Sequence, residues 1–407
     1  MKKLALHWQI LIAIVLALIF GWLLPEYTKF VAWMGVVFIR ALKMIVIPLV
    51  LSSIICGVAQ AGTGKSLGRL GIKTMIYYLV TSLLAILTGL TLVNFIQPGR
   101  GMGNVLNTLP EMPEIEQKSL SDVLIGIIPD NLFGAFSENN AMLSVIFFAM
   151  LAGIFITRLG EDNRKQLTGI FNAFFELMMK ITLFVMRLAP LGIFGLVAVM
   201  AAEQTAGLEL FKGLGKYVLT VIIGLIFHHL VTLPLILRYV GRVSPLKHYR
   251  AMAAPLITAF STASSNATLP VTMEAVEEKA GVSNRVSGFV LPLGATINMN
   301  GTALYELVVA GFIAQIYGID LSFSQQFVLV TTALLASVGA AGVPMGSLVT
   351  MSIVFSSIGL PLEAVALILP VDRPLDMLRT ATNVFGDTCG AVTVASLEGE
   401  ELAVRRE

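Results

Sequence analysis

Three carboxylates and two guanidinium groups stand in one stretch, Asp372-Arg373-Pro374-Leu375-Asp376-Met377-Leu378-Arg379-Thr380-Ala381-Thr382-Asn383-Val384-Phe385-Gly386-Asp387. The stretch lies inside a hydrophobic run from about Pro361 to Ala395, where charge is expensive and marks a functional site by default. At 100° per residue, Asp376, Arg379, Thr380, Asn383 and Asp387 follow an i, i+3, i+4, i+7, i+11 pattern and share one helix face. That face offers a cation, a carboxylate able to accept an amine, and a second oxygen cluster further along the helix. Such a surface suits a small zwitterion together with a hard cation. Spacing alone also allows a structural ion pair between Arg379 and Asp376 or Asp372.

The elements that must hold this face are membrane spans. The chain has 407 residues, of which 56% are hydrophobic and only 13% charged, about half the charged share of soluble domains. A net charge of +2 gives no footprint for nucleic acid. Cys56 and Cys389 both sit in apolar segments, so no disulfide framework is implied. Hydrophobic runs fall at roughly 6–24, 33–60, 74–96, 141–158, 167–200 and 207–238. Four less regular runs follow at 251–275, 284–316, 325–356 and 361–395. The first run has no small-residue cleavage site before Pro25 and reads as a retained span. Lys65, Arg69, Lys73, Arg158, Arg164, Lys165, Arg242, Lys247, Arg250, Arg405 and Arg406 are assigned to inside loops, which puts both termini in the cytoplasm. Residues 100–140 read as an external loop.

Two of the late runs are interrupted at their middles. The first carries Ser261-Thr262-Ala263-Ser264-Ser265-Asn266-Ala267-Thr268-Leu269-Pro270. The second carries Ser337-Val338-Gly339-Ala340-Ala341-Gly342-Val343-Pro344-Met345-Gly346-Ser347. Such centres break a helix and free backbone groups, which lipid cannot satisfy unless they line a site or cavity. Two of them point to re-entrant hairpins. Between them, Gly294-Ala295-Thr296-Ile297-Asn298-Met299-Asn300-Gly301-Thr302 interrupts a seventh span. Eight transmembrane helices plus two re-entrant hairpins in an all-α membrane protein fit this pattern best. Ala59–Ser66 resembles a phosphate-binding loop but lacks its first glycine and a preceding strand. His228 and His229 are adjacent, about 100° apart on a helix, and read as packing residues rather than a joint metal site.

At these residues the chain resembles the glutamate transporter family, the dicarboxylate/amino acid:cation symporters that include the excitatory amino acid transporters. The matching pieces are Ser264–Pro270, Asn298-Met299-Asn300-Gly301-Thr302, the glycine-rich Ser337–Pro344 tip, the Asp376–Asp387 helix and the early segment Phe38–Val50. Similarity runs from about Leu6 to Ala395. The resemblance implies inverted repeats, a homotrimer and an elevator. Scaffold helices at 1–70 and 99–206 would hold a mobile transport domain, built from 71–98 and 207–395, with a cytoplasmic tail at 396–407.

The resemblance also implies roles for individual residues. Arg379 would read the substrate's side-chain carboxylate, Asp376 its amino group. Ser264, Ser265, Thr302, Thr380, Asn383 and the backbone at Val343 would complete the substrate shell. Gly294, Asn298, Asn383 and Asp387 would form one sodium site; carboxylate, amide and carbonyl oxygens are the hard ligands such an ion takes. Thr296, Met299, Ser337, Val338 and Ala340 would form a second. A third would use Tyr78, Thr81, Ser82, Asn298 and an aspartate, but this chain has Asn300 there, which removes that site's only charge. Glu306 stands where the eukaryotic carriers have glutamate and many prokaryotic ones glutamine, so it is the candidate proton carrier; the alternative is a glutamate paired with a neighbour. Ala263 replaces an arginine of several prokaryotic members, a charge that Arg373 would supply.

The function these readings imply is a secondary active symporter, not an enzyme. It moves glutamate or aspartate with Na⁺, and with H⁺ as a further coupling ion, in the inner membrane of a bacterium. The alternatives are a C4-dicarboxylate or neutral amino acid symporter of the same fold and a purely proton-coupled glutamate carrier. A channel is disfavoured because paired amine and carboxylate readers imply stoichiometric binding.

Overall fold

The computed structural model of the chain describes residues 6–61, 65–102, 125–137, 142–202, 207–338 and 347–405. Among the described residues the regular elements are helical, with one isolated bridge between Val243 and Arg405. Among the described residues, five stretches are long and apolar enough to cross a membrane: Ala32–Ala59, Arg69–Ile96, Glu161–Arg187, Lys212–Tyr239 and Asn284–Ile316. Together with the family finding below, they make the chain an integral membrane protein.

The N-terminal half contributes α1 (Leu6–Leu23), α2 (Ala32–Ala61), α3 (Lys65–Ile96), α4 (Met142–Ile156), α5 (Glu161–Arg187) and α6 (Ala189–Ala202). The hydrophobic run at 167–200 reads as one span, but the helix breaks at Leu188. Pro190, the second residue of α6, has no N–H to donate back into α5. α1 packs on α6, and α2 packs on α4, α5 and α6. Glycine permits the close approach: a Cβ at Gly192 would overlap the Phe38 ring, and one at Gly35 the Leu196 side chain. Small residues serve helix contacts in lipid, where no hydrophobic force drives apolar helices together.

The second half begins with α7 (Gly207–Phe227), which passes through a π-helical turn at His228–Thr232 into α8 (Leu233–Tyr239). Next come α9 (Ala253–Thr262) and α10 (Ser265–Glu274). α9 has 10 residues, about 15 Å of helix, half of what a span needs; α10 also has 10 and runs on through a π-helical turn at Ala275–Lys279. The chain reverses between them at Ala263, whose φ is +49°, and Ser264 then caps α10 by accepting the Ala267 N–H at 3.2 Å. α11 (Asn284–Ile297) and α12 (Asn300–Ile316) are the two halves of the predicted seventh span, parted at Asn298-Met299. α13 (Phe323–Val338) and α14 (Ser347–Ser357) flank the second interruption, whose residues 339–346 lie outside the described ones. α15 (Leu369–Leu397) is the charged helix, and it packs on α7, α9, α10, α11 and α12.

The tail departs from a plain solvated end. Val404 accepts the Ser244 N–H at 2.9 Å, Ala403 donates to the Ala280 carbonyl at 3.0 Å, and Leu402 and Val404 are buried. Glu398 pairs with Arg69 at 2.8 Å and Lys73 at 2.7 Å, while Glu400 accepts from the Ser283 N–H at 2.9 Å. Residues 398–405 therefore form a strap across the ends of α3, α10 and α11.

Candidate functional site

α15 presents the predicted face inward. Asp376, Arg379, Thr380, Asn383 and Asp387 are all buried, and Arg379 has no exposed surface at all. The first turns of α15 supply its partners. Arg379 Nη1 lies 3.1 Å from Asp372 Oδ1; Nη2 donates to Asp376 Oδ1 and to Ser347 Oγ, both at 3.0 Å. The guanidinium plane sits 3.7 Å from the centre of the Tyr305 ring, and the Tyr305 hydroxyl donates to Asp372 at 2.6 Å. Arg373 Nη1 donates to the other oxygen of Asp376 at 3.0 Å. Asp376 thus lies between two guanidiniums, and both ion pairs allowed by spacing are present. A buried charge persists only where it is paired and hydrogen-bonded, and this fork is held by two carboxylates, a hydroxyl and an aromatic face. Its Nε has no hydrogen-bond partner among the described residues.

The lower end of the face meets the break between α11 and α12. Asn383 Oδ1 accepts the Gly301 N–H at 2.7 Å, and its Nδ2 reaches Thr302 Oγ1 at 3.2 Å and Met299 Sδ at 3.3 Å. Asn298 Nδ2 donates to Asp387 Oδ1 at 2.8 Å. The backbone at Gly294 is pressed against the same carboxylate: a Cβ there would collide with Asp387 and the Tyr78 hydroxyl. Asp387 has no ion-pair partner among the described residues, and Asn298 Oδ1 is buried without a hydrogen-bond partner. A lone carboxylate and an idle amide oxygen packed against a bare backbone are an oxygen cluster deficient in positive charge.

The remaining predicted residues divide by what engages them. Ser82 donates to Asn300 Oδ1 at 2.7 Å, and Asn300 Nδ2 is buried with no partner among the described residues. Tyr78 donates to the Val290 carbonyl at 2.8 Å, which places it beside Gly294. Thr81, Thr296 and Ser337 turn their hydroxyls onto the backbone of their own helices. Ser264 is used as a helix cap, and Ser265 is buried beside it. Thr380 lies buried one residue beyond Arg379. Ala340 and Val343 lie outside the described residues, as does the side chain of Val338. Glu306 is fully buried on α12; its Oε1 accepts a hydrogen bond from Thr350 on α14, and Oε2 has no partner among the described residues.

Three contributors escape sequence reasoning: Tyr305, Ser347 and Thr350. Tyr305 lies one turn beyond Thr302 on α12, a spacing that could have flagged it. Ser347 and Thr350 come from α14, and no local pattern announces that this helix faces α12 and α15.

A family model described as the sodium:dicarboxylate symporter family matches residues 6–397. The proton/glutamate-aspartate symporter of Escherichia coli (strain K12) is 37% identical over 97% of this chain and 93% of its own length. The human excitatory amino acid transporter 3 is 37% identical, over 96% of this chain and 85% of its own length. The proton/sodium-glutamate symport protein of Geobacillus stearothermophilus is 35% identical over 98% of this chain and 96% of its own length. With near full-length matches to symporters and to the family as a whole, the chain is a transporter rather than an enzyme, and it belongs to the sodium:dicarboxylate symporter family.

Proposed function

We propose that this transporter is a secondary active symporter of glutamate and aspartate. The observation that carries the reading is the fully buried Arg379 fork, 3.0 Å from Asp376. A planar guanidinium reads a carboxylate with two parallel hydrogen bonds, and the adjacent aspartate can accept an ammonium. A dicarboxylate without an amine has no use for Asp376, and a neutral amino acid has none for Arg379. The names of the two bacterial relatives, which pair glutamate with protons or sodium, support the same substrate class.

Na⁺ is the coupling ion this reading assigns to Asp387, Asn298, Asn383 and the Gly294 carbonyl. The buried Asp387 carboxylate supports it, since an uncompensated charge there needs a cation or a proton. The second sodium site at Thr296, Met299, Ser337, Val338 and Ala340, and the third at Tyr78, Thr81, Ser82 and Asn300, remain proposals by resemblance; Asn300 brings no charge to the third. Glu306 is the proposed proton carrier, supported by its burial without a cation partner among the described residues. α1, α2 and α4–α6 would form the scaffold of a homotrimer in a bacterial inner membrane, with cytoplasmic termini. The rest would move as the elevator.

The test is uptake of labelled aspartate and glutamate into proteoliposomes, first under a Na⁺ gradient and then under a proton gradient alone. Concentrative uptake that requires Na⁺ supports the assignment of Asp387. Uptake driven by protons without Na⁺ shifts the coupling to Glu306, the reading that Asn300 favours. Uptake of neither amino acid refutes the substrate assignment.

A further inference from the structure

Between Glu209 and Glu274 the chain contains no carboxylate, yet Arg238, Arg242, Lys247 and Arg250 cluster at the end of α8 and on the turn and short helix, Pro245–Ala251, that lead to α9. All four are exposed. Arg242 and Arg250 have no carboxylate partner among the described residues, and Arg238 lies over the Tyr239 ring at 6.0 Å. The apolar neighbours Tyr239, Val240 and Leu246 are exposed as well. Exposed cations beside an exposed tyrosine and aliphatics are the composition of a membrane–water interface.

Adjoining this turn is an apolar groove of about 390 Å³, bounded by Ile226, His229 and Leu230 of the α7–π segment, Leu256 to Phe260 of α9, and Leu378 to Thr382 of α15. Its polar walls are neutralised from within. Thr382 donates to the Leu378 carbonyl at 3.0 Å, and the His229 ring stacks on Phe385 at 4.3 Å. None of its lining residues comes from α1–α6. Its mouth continues an exposed apolar stripe along α7, through Leu219, Ile223, Ile226 and Leu230, so the groove opens on the face that lipid covers. The basic turn and the groove are physically tied, because the Tyr249 hydroxyl, one residue before Arg250, donates to the carbonyl of His229 at 2.5 Å. Arg238 lies 8 residues beyond Leu230 and 12 beyond Ile226, about 12–18 Å along the helix. One leaflet's share of the hydrocarbon core is about 15 Å.

We propose that this is a binding site for one anionic phospholipid, its phosphate on Arg238, Arg242 and Arg250 and one acyl chain in the groove. Basic clusters at the inner end of a span attract acidic headgroups, and the groove has room and polarity for a chain only. The floor of the groove is the outer side of the α15 turn that carries Arg379 and Thr380, so the lipid braces the substrate helix from behind. The site requires only that the chain spans a membrane, and it stands or falls apart from the substrate assignment.

The test is competition between phosphatidylglycerol and phosphatidylcholine for the full-length protein, read by native mass spectrometry. Each interfacial arginine contributes about five-fold in preference for the acidic lipid. The wild type should therefore retain phosphatidylglycerol in at least tenfold excess, Arg242→Gln/Arg250→Gln should lose that excess, and Arg242→Lys/Arg250→Lys should keep it. Phosphatidylglycerol with a diazirine in its acyl chain should label Ile226–Leu230 and Leu256–Phe260. Equal retention of both lipids by the wild type overturns the headgroup site, as does an unchanged excess in the glutamine variant. Labelling of the exposed α1 face at Leu11–Ile19 as strongly as the groove overturns the chain site. Should the glutamine variant fail to fold, the wild-type competition and label map decide by themselves.

Discussion

Arg379→Lys separates reading a carboxylate from merely supplying a positive charge. Arg379 reaches Asp372 through Nη1 at 3.1 Å and both Asp376 and Ser347 through Nη2 at 3.0 Å, while its plane rests on Tyr305. A lysine ammonium keeps the charge but is a point donor, and cannot hold two carboxylates apart while presenting a second parallel N–H to a ligand. Removing the charge outright is a poor experiment, because breaking a buried pair costs about 3–5 kcal/mol of stability, and here two carboxylates would be stranded. With lysine, the loss is about one hydrogen bond to a charged group, about 1.5–3 kcal/mol, or roughly 10- to 150-fold in Kd. Titration calorimetry of the purified protein with aspartate and with asparagine, at fixed Na⁺, reads the effect directly. Aspartate should weaken by that factor, and asparagine, which has no side-chain carboxylate, by less than threefold. Equal weakening of both, or a loss of under threefold for aspartate, would refute Arg379 as the side-chain reader.

Asp387→Asn should raise the Na⁺ concentration needed for half-maximal substrate binding at least tenfold, while substrate Kd at saturating Na⁺ moves little; an unchanged Na⁺ dependence would remove Asp387 from the cation site. Glu306→Gln should flatten the pH dependence of uptake in proteoliposomes, and a variant as pH-dependent as wild type would end the proton role. Just past the C-terminal end of α15, the hydrogen bonds from Arg69 and Lys73 hold the Glu398 carboxyl at about 2, below its ordinary 4.5. A depressed acid stabilises the fold above its unfolded pKa and loses that contribution as pH falls through the folded one. Glu398→Gln should therefore melt below wild type at pH 7, with the gap closing as pH falls from about 4.5 toward 2; a gap independent of pH would mean that the pairing contributes nothing.

What is legible in the sequence is whatever carries an energetic penalty if left unsatisfied. Charges in a span-length apolar segment are costly, which is why Asp376, Arg379 and Asp387 announce themselves from spacing alone, and broken spans at Ser264 and Asn298 free backbone groups that must line something. The partners were not legible, because they come from elsewhere in the chain. Ser347 and Thr350 reach Arg379 and Glu306 from α14 only after that helix folds back on α12, and Asp372 becomes a partner of Tyr305 across 67 residues. The π-turn at His228–Thr232 has no local signature. Pro190 does carry one, yet proline is tolerated near helix starts and inside membrane helices alike, so the run at 167–200 did not reveal its break.

The strap shows the same limit from the opposite side. Leu402 and Val404 sit among charged residues in a segment too short to show a period, and their burial depends on Ser244 and Ala280, more than a hundred residues away. Its consequence is structural: the chain that leaves the charged helix returns to the starts of α3 and α11 and the end of α10. These helices bear Tyr78, Gly294 and the Ser264 cap respectively. The same backbone that carries Arg379 and Asp387 thus fixes, at its far end, the helices that close around them. A change to the strap should be felt at the ion and substrate site as an altered position of α3 and α11, without any strap residue touching either.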